Sequence, residues 1–351
     1  MRIVQVGGGS MGTRRMRDLH GRTVGADVIE VRLVDARADR RASALERFAI
    51  AGFATVDDAL TDWGGRPDAF VISTPPDRHE ALVRTAMDLG THVFCEADIW
   101  PFDPALVGTA ARTGLVAAPS ATLMFHPLVR EVTRIVAEEL GRLHAFGYLL
   151  SVDAPSWHPG EGVEYYARHR ATAPAREMTA FELIGLQAIF GHATAVSGIV
   201  QRRGGLSTDG EDSYSLQYRT VNGAAGQLTV VMAVPQVARR GWAAGEHGVV
   251  HFDLLSGVVE RRLPGIGIDD SRTICDWAQV LESVYLDEIS TFVAATRGEA
   301  VWPYSYEDSA AVCGALAAAE CSAVTGTVQV VSVGSAPAAV PDGYPVAATG
   351  A

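Results

Sequence analysis

The sequence predicts an α/β fold in two parts. The first is an N-terminal doubly wound parallel sheet, and the second is a C-terminal α/β domain built on an open, mainly antiparallel sheet. Over the first 122 residues, short apolar runs alternate with amphipathic stretches, as in βαβ units. A glycine-rich turn follows the first apolar run. After residue 140, strand-like segments follow one another with few helical patterns between them, which indicates antiparallel pairing.

The first domain is predicted to span residues 1–122. Its strand-like runs are rich in β-branched residues: RIVQVG at 2–7, VIEVRLVD at 28–35, DAFVIST at 68–74 and THVFCEA at 91–97. Between the last two runs, residues 79–89 place Leu82, Val83, Ala86 and Met87 on one side of a helix.

The second domain is predicted to span residues 123–334. It opens with a helix whose apolar residues repeat every 3.6 positions: Leu128, Val129, Val132, Ile135, Val136 and Leu140. Four strand-like runs follow, at 143–152, 213–221, 226–234 and 248–255, and VNGA at 221–224 predicts a hairpin turn. Helices near 280–296 and 306–324 are expected to pack on one face of this sheet. The Ala-, Pro- and Gly-rich residues 335–351 are expected to form a loose tail or to wrap a neighbour.

Composition excludes several classes of protein. The chain has 351 residues, 48% hydrophobic and 20% charged, which is typical of soluble globular proteins. Its net charge of −12 argues against nucleic acid as a partner. The sequence shows neither a membrane-spanning apolar run nor a signal peptide, so we expect a cytoplasmic protein.

Two residue counts bear on chemistry. All 29 basic residues are Arg, so no side-chain amine is available as a Schiff-base former or tunable acid. The four cysteines, Cys95, Cys275, Cys313 and Cys321, show no CxxC or zinc-like spacing, so no metal site is predicted.

The glycine-rich turn predicts a dinucleotide site. Gly7, Gly9 and Gly12 form G-x-G-x-x-G between a strand and a helix, with Ser10 and Met11 inside the motif. Gly7 permits the tight turn, Gly9 lets the backbone approach a pyrophosphate, and Gly12 lets helix and strand pack closely. The N–H groups of the helix N-terminus donate to the phosphate.

The end of the second strand predicts which dinucleotide is bound. Asp35 accepts hydrogen bonds from both ribose hydroxyls and repels a 2′-phosphate, which favours NAD. Arg37, Arg40 and Arg41 follow at once and offer an alternative site for that phosphate. NAD is therefore the predicted cofactor, and NADP is the alternative.

A longer motif carries a family resemblance. STPPDRHEALVRTAMDLGTHVFCEA at 73–97, with FHP at 125–127 and LGRLHAF at 140–146, resembles the glucose–fructose oxidoreductase / inositol dehydrogenase / rhizopine catabolism family. The resemblance implies an NAD(P)-dependent dehydrogenase of sugars, cyclitols or nucleotide-linked sugars. It also implies a homodimer or homotetramer formed through the C-terminal sheet. Thr74, Pro75, Pro76 and His79 would border the nicotinamide, with Glu96 near its ribose.

The sequence departs from this family at its reactive groups. The usual Lys-Pro after the glutamate is replaced by Ala97-Asp98. Aligning REMTAFELIGLQAIFG at 176–191 on its last Phe-Gly puts Phe181 at the position of the usual histidine and Ile184 at that of the usual aspartate. A shift of this alignment by one residue would instead bring Glu182 into the aligned positions.

Loss of these groups predicts a relocated acid–base residue, since a positioned base contributes about 10²–10⁴-fold to the rate. SWHPGEGVEYYARHR at 156–170 supplies candidates. The predicted catalytic residues are His158, Tyr165, Tyr166, Glu182 and Asp98. The predicted substrate-binding residues are Trp157, Arg168, Arg170 and Arg176. Two alternatives to a dehydrogenase stay open: an enzyme with no net redox change (elimination, epimerisation or hydrolysis), or a non-catalytic sensor or partner subunit.

Overall fold

A computed structural model describes residues 1–154, 169–203 and 209–331. The backbone forms two compact units that are not contiguous in sequence. The first unit contains Met1–Asp98, Phe102–Ser120 and Tyr285–Tyr306. The second unit contains Ile99–Pro101 and the described residues of Ala121–Val284 and from Glu307 onward. The domain boundary predicted at residue 122 did not anticipate that Tyr285–Tyr306 belong to the first unit.

A parallel sheet of six strands forms the centre of the first unit, in the order β5-β4-β1-β6-β7-β8. In chain order the strands of this unit are β1 Arg2–Val6, β2 Thr23–Val24, β3 Asp27–Val28, β4 Glu30–Val34, β5 Gly52–Phe53, β6 Ala69–Ile72, β7 His92–Cys95 and β8 Ala117–Pro119. The helices are α1 Ser10–Leu19, α2 Ala38–Phe48, α3 Val56–Trp63, α4 His79–Asp88 and α5 Pro104–Thr113. The predicted doubly wound parallel sheet is confirmed.

The position of the glycine turn follows from the strand order. Strand β1 pairs in parallel with both β4 and β6. The chain first adds β4 and β5 on one side of β1 and then crosses over to add β6, β7 and β8 on the other side, so the strand order reverses at β1. This reversal opens a crevice at the carboxyl end of β1, which is where open α/β sheets bind ligands. The glycine turn lies at that end.

The second unit is built on a nine-stranded sheet in the order β16-β15-β14-β13-β9-β12-β11-β10-β17. The strands are β9 Leu143–Asp153, β10 Ala193–Gln201, β11 Ser213–Thr220, β12 Ala225–Val231, β13 Ala233–Gly245, β14 Gly248–Asp253, β15 Val258–Leu263, β16 Ile268–Thr273 and β17 Gln329–Val330. The helices that follow α5 are α6 Pro127–Glu138, α7 Pro174–Phe190, α8 Trp277–Thr296 and α9 Tyr306–Thr325. Among the described strands of this sheet, only β9 and β12 are paired in parallel, so the predicted mainly antiparallel sheet is confirmed.

The two late helices have different partners. Helix α9 packs on the nine-stranded sheet, because a Cβ on Gly198 would lie 2.6 Å from the carbonyl oxygen of Ala319. Helix α8 from Tyr285 onward packs instead in the first unit, where Phe292 contacts Phe94 with ring centroids 5.7 Å apart. The prediction that both helices cover the antiparallel sheet was therefore wrong for α8. Periodicity identifies the apolar face of a helix but not the surface that this face meets.

Candidate functional site

The glycine turn is interlocked with its neighbours at two positions. Gly7 has φ +92°, and a Cβ there would overlap the carbonyl oxygen of Ser73. A Cβ on Gly12 would overlap the carbonyl oxygen of Gly7. The buried amide of Gln5 supports the turn, since its Nε2 donates to the Gly7 carbonyl at 3.0 Å. Gly7 and Gly12 are therefore required by the fold itself.

Gly9 differs from these two glycines. It is the N-cap of helix α1 with φ −70°, which any residue adopts. The nearest atom to a Cβ at this position would be the Arg40 guanidinium, at 3.8 Å. Helix α1 has no side-chain cap at Gly9 and no acidic residue in its first turn, which Ser10 and Met11 begin. The space over Gly9 and the N–H groups of the helix end suit a pyrophosphate.

Asp35 follows strand β4 and is oriented by the backbone. Its Oδ2 accepts from the Gly8 N–H at 2.7 Å, and its Oδ1 accepts from the Arg37 N–H at 2.8 Å. The residue is 8% exposed. The carboxylate is thus held beside the glycine turn, where a ribose of the dinucleotide is expected.

The three arginines after Asp35 have different surroundings. Arg37 is paired with Asp39, whose pKa the Arg37 hydrogen bonds lower to about 2. Arg41 donates to the carbonyl oxygens of Asp35 and Ala36. Arg40 lies 3.4 Å from Asp35 Oδ2 and faces Gly9. Of the three, Arg40 is the one placed to contact a ligand on the glycine turn.

The segment after strand β6 borders the same turn. Thr74 approaches Gly7, and its Oγ1 is buried with no hydrogen-bond partner among the described residues. Pro75 and Pro76 lead into a 3₁₀ turn, Pro76–Arg78, that runs directly into helix α4 at His79. The unpaired Thr74 hydroxyl is a polar group that a bound cofactor would satisfy.

His79 and Asp98 form a buried pair behind this segment. His79 Nδ1 lies 2.8 Å from Asp98 Oδ1, and its Nε2 lies 2.9 Å from the Thr74 carbonyl oxygen. Burial opposes the imidazolium, but Asp98 and the Thr74 carbonyl raise the pKa of His79. Asp98 is 4% exposed, so its Oδ1 is directed at His79 and not at solvent. The carboxylate therefore orients the histidine that supports Thr74.

The same pair lies next to a thiol. Ligand atoms of His79, Cys95 and Asp98 lie within 4.8 Å of one another, a grouping able to hold a metal ion. The spacing of the cysteines in the sequence did not indicate this cluster. A shared proton between His79 and Asp98 satisfies the two facing atoms without an ion.

Glu96 belongs to an ionic network that sequence analysis missed. Arg15 donates to Glu96 through Nε at 2.9 Å and to Glu288 through Nη2 at 2.7 Å. Arg15 and Glu288 are fully buried, whereas the Glu96 side chain is 16% exposed. Ser120 Oγ donates to the second oxygen of Glu288 at 2.8 Å. The network fixes Glu96 at the carboxyl end of β7. One feature of the sequence could have indicated this network: Arg15 lies on the same face of helix α1 as Gly12 and Met16, and that face is buried.

In the second unit, Glu182 is paired with Arg239. Glu182 is 1% exposed, and its Oε1 accepts from Arg239 Nη2 at 2.5 Å. The Arg239 guanidinium also lies 5.5 Å from the ring centre of Phe181. Burial and the neighbouring Glu182 carboxylate raise the pKa of Tyr148 well above its usual value, so its hydroxyl is protonated. The carboxylate of Glu182, which the sequence predicted to be catalytic, is thus held in an ion pair with an arginine.

His126 lies on the other side of Arg239. Its ring stacks on Trp277 at 5.6 Å, and Trp277 lies 5.4 Å from the Arg239 guanidinium. Its Nδ1 accepts from the Leu128 N–H at 3.2 Å and so caps helix α6. Burial and then the charge of Arg239 lower the pKa of His126 to about 4. His126 is therefore neutral at pH 7, with its proton on Nε2.

The predicted substrate-binding arginines are engaged with carboxylates. Arg170 Nε donates to Glu211 at 2.6 Å, and Arg176 Nε donates to Glu320 at 2.8 Å. Tyr214 donates to the same Glu320 oxygen at 3.0 Å, and the Arg176 guanidinium lies 4.9 Å from the Trp100 ring. The remaining candidates lie outside the described residues: Trp157, His158, Tyr165, Tyr166 and Arg168.

The family comparison agrees with the geometry of the first unit. Residues 1–99 match the GFO_IDH_MocA family model, described as "Oxidoreductase family, NAD-binding Rossmann fold". These 99 residues are thus similar to this oxidoreductase family. The resemblance that the sequence motifs indicated is confirmed, and NAD is the cofactor of the family. No curated protein matches the chain. Among the described residues, no helix has both the length and the hydropathy needed to cross a bilayer.

Solved structures share the fold along nearly the whole chain. GenD2 from gentamicin A biosynthesis, solved with NAD, is 21% identical with a TM-score of 0.77, covering 95% of this chain and 96% of GenD2. The WlbA dehydrogenase from Bordetella pertussis, solved with NADH and UDP-GlcNAcA, is 15% identical with a TM-score of 0.76, covering 95% and 99%. Levoglucosan dehydrogenase, solved with NADH, is 16% identical with a TM-score of 0.77, covering 95% and 99%.

Proposed function

We propose that this protein is an NAD(P)-dependent oxidoreductase that acts on a hydroxyl or ketone of a sugar, cyclitol or nucleotide-linked sugar. The observation that carries the proposal is the room over Gly9, where the nearest atom to a Cβ would be the Arg40 guanidinium at 3.8 Å, beside an Asp35 carboxylate that the Gly8 N–H holds in place. The fold of the second unit supports it, because the solved structures that share this fold include dehydrogenases of sugars.

NAD is the preferred dinucleotide in this proposal. Asp35 presents a carboxylate where the ribose hydroxyls are expected, and a 2′-phosphate would be repelled there. Arg40 supplies the only opposing feature among the described residues, since it lies between Asp35 and Gly9. We therefore expect tighter binding of NAD than of NADP by the same preparation.

The acid–base group is proposed to lie in the second unit. Ala97 takes the position of the family's lysine and, in the alignment anchored on the last Phe-Gly, Phe181 takes the position of its histidine, and neither side chain exchanges a proton. Among the described candidates, Asp98 is committed to His79, and Glu182 is held by Arg239. His158, Tyr165 and Tyr166 remain the other proposed proton acceptors. A positioned base is needed for hydride transfer from an alcohol at an appreciable rate.

One experiment tests the proposal and separates it from its alternatives. Purified protein is titrated calorimetrically with NAD and NADP, and the NAD-loaded protein is then offered a panel of sugars and cyclitols. Growth of absorbance from reduced nicotinamide together with a ketone product supports the oxidoreductase. Turnover of substrate without net absorbance change supports an enzyme with no net redox. NAD binding without any turnover supports a sensor or partner subunit, and absence of NAD binding contradicts all three.

The assembly is also proposed to be a homodimer or homotetramer formed through the nine-stranded sheet. Strand β11 alternates buried and exposed residues, so one of its faces, with Ser215, Gln217 and Arg219, is open. Light scattering coupled to gel filtration measures the mass, and a monomeric mass contradicts this part of the proposal.

A further inference from the structure

The second unit contains a cluster of polar side chains between two aromatic rings. We call it the Glu182–Arg239 cluster, and its members are His126, Tyr148, Phe181, Glu182, Arg239 and Trp277. Glu182 and Arg239 form a buried ion pair, with His126, Tyr148 and the two aromatic rings around it. All six residues belong to the same compact unit.

The cluster has no net charge at neutral pH. The Arg239 guanidinium is balanced by the Glu182 carboxylate at 2.5 Å. His126 is neutral because of its burial and the neighbouring arginine, and Tyr148 retains its proton. An anion entering the cluster would therefore meet the Glu182 carboxylate without an excess positive charge to compensate it.

Two donors of the cluster, His126 Nε2 and the Tyr148 hydroxyl, make no hydrogen bond of standard geometry among the described residues. Glu182 and Arg239 nevertheless lie close enough to the Tyr148 hydroxyl to act on its pKa. The two residues are 1% and 7% exposed. A buried donor without a well-formed hydrogen bond is unfavourable, so each of these groups favours a ligand that brings an oxygen atom.

The aromatic members supply an apolar contact surface. Phe181 and Trp277 are each partly exposed, unlike the fully buried aromatic rings of the core. Their rings lie 5.5 and 5.4 Å from the Arg239 guanidinium. Aromatic faces next to paired donors and acceptors suit a ring with C–H groups on its faces and hydroxyls on its edge.

The two described arginines among the predicted substrate-binding residues are already neutralised by carboxylates. Arg170 is paired with Glu211, and Arg176 is paired with Glu320. Each of these carboxylates occupies the position that a phosphate or carboxylate of a substrate would take.

From these observations we infer that the Glu182–Arg239 cluster binds an uncharged polyhydroxylated ring, a neutral sugar or cyclitol, and discriminates against sugar acids and phosphate-linked sugars. The ring hydroxyls accept from His126 and Tyr148 and donate to Glu182, while Phe181 and Trp277 contact the ring face. This inference rests on the proposed function and narrows its substrate class. Tyr148 and His126 become residues that determine specificity.

The test compares matched neutral and anionic probes on NAD-loaded protein. The pairs are D-glucose with D-glucuronate, D-galactose with D-galacturonate, and myo-inositol with inositol 1-phosphate. Binding is followed by calorimetry and by the fluorescence of the tryptophans, one of which, Trp277, lies in the cluster. We expect at least one neutral member to bind about 10-fold or more tightly than its anionic partner. Tyr148→Phe should weaken that binding about 10-fold by removing one hydrogen bond.

Tyr218→Phe is the matched control. Tyr218 lies in the same unit, is 7% exposed, and also has a hydroxyl without a partner among the described residues, but its ring packs on Phe146, which stacks on Phe190, and Phe146 is not part of the cluster. Removal of the Tyr218 hydroxyl should leave probe affinity within about 2-fold of that of the unmodified protein. Tighter binding of the anionic members, an unchanged Tyr148→Phe, or no binding of any neutral member overturns the inference. If NAD itself fails to bind, the proposed function fails instead, so the two failures are distinguishable.

Discussion

Three glycines of one turn differ in what a side chain at each position would contact. At Gly7 and Gly12 a methyl group would overlap a backbone carbonyl, whereas at Gly9 it would make only ordinary van der Waals contact with Arg40. The same residue type therefore serves packing at two positions and leaves room for the proposed ligand at the third. The motif predicted this division of roles, and the backbone carbonyls next to Gly7 and Gly12 give the physical reason for the two packing positions.

Replacing Gly9 by Ala tests the ligand role directly. We expect the variant to fold with an unchanged denaturant midpoint, because the added methyl meets nothing closer than 3.8 Å. NAD affinity should fall about 10- to 100-fold, since phosphate contacts to the helix N-terminus are lost. Calorimetric titration measures the affinity. Gly65→Ala, whose added methyl meets nothing within 4 Å, is the control and should bind NAD normally.

His126 predicts a pH dependence of stability. Its pKa is about 4 in the folded protein against 6.5 for the unperturbed group, so the unfolded chain takes up a proton first as the pH falls. Stability is therefore lost between pH 6.5 and pH 4, by about 3 kcal/mol in total. His126→Asn keeps an N-cap acceptor for helix α6 and removes this titration. Urea unfolding at pH 7, 5.5 and 4.5 should show a shallower decline in the variant. Parallel declines in the two proteins would contradict the assignment.

At the scale of elements, helix α1 is joined to the end of β7 and to helix α8 by one arginine. Arg15 is fully buried and contacts Glu96 and Glu288, and the guanidinium lies 4.7 Å from the ring of Phe94. Burying charge is unfavourable unless partners and hydrogen bonds are present, and here Ser120 and the Tyr285 carbonyl supply further ones. The network thus links three elements through contacts up to 273 residues apart in sequence.

Arg15→Met should destabilise the protein by about 3–5 kcal/mol, because two buried carboxylates lose their shared cation. Denaturant unfolding monitored by circular dichroism measures this. Arg17→Met on the same helix is the control, since Arg17 is 47% exposed and should change stability by less than about 1 kcal/mol. A similar small effect at Arg15 would show that the network contributes little.

Local patterns predicted most elements and could not predict their partners. The β-branched runs, the glycine turn and the amphipathic helices were identified because each is encoded within about 20 consecutive residues. Glu182 was predicted from the sequence as a catalytic residue, but its partner Arg239 lies 57 residues away. Arg15 and Glu288 were missed for the same reason. Pairing across such distances depends on the packed fold, and a single sequence carries no direct record of it.

At the scale of the molecule, the first unit is completed by residues from near the end of the chain. Ile289, Phe292 and Val293 join the core that lies on one face of the parallel sheet. The prediction of a domain ending at residue 122 followed chain order, and composition does not reveal that a late helix returns. This hydrophobic core and the Arg15 network both need residues from the segment Tyr285–Tyr306.

A fragment experiment measures this dependence. Residues 1–122 alone should be poorly folded and bind NAD weakly, because the apolar surface under helix α8 is exposed and Arg15 lacks Glu288. Residues 1–120 fused through a flexible linker to 285–306 should recover a cooperative urea transition and NAD binding. Equal stability of the two fragments would contradict a structural role for the returning segment.

The interlocked turn also constrains how this sequence can diverge. Under selection for folding alone, positions 7 and 12 would remain glycine while position 9 drifted to larger residues, because only the first two are enclosed by backbone. A library of variants sorted first for abundance and then for cofactor retention would therefore display two different tolerance profiles within six residues. The difference between the two tolerance profiles would show, position by position, which residues of the motif are needed for folding and which for ligand binding.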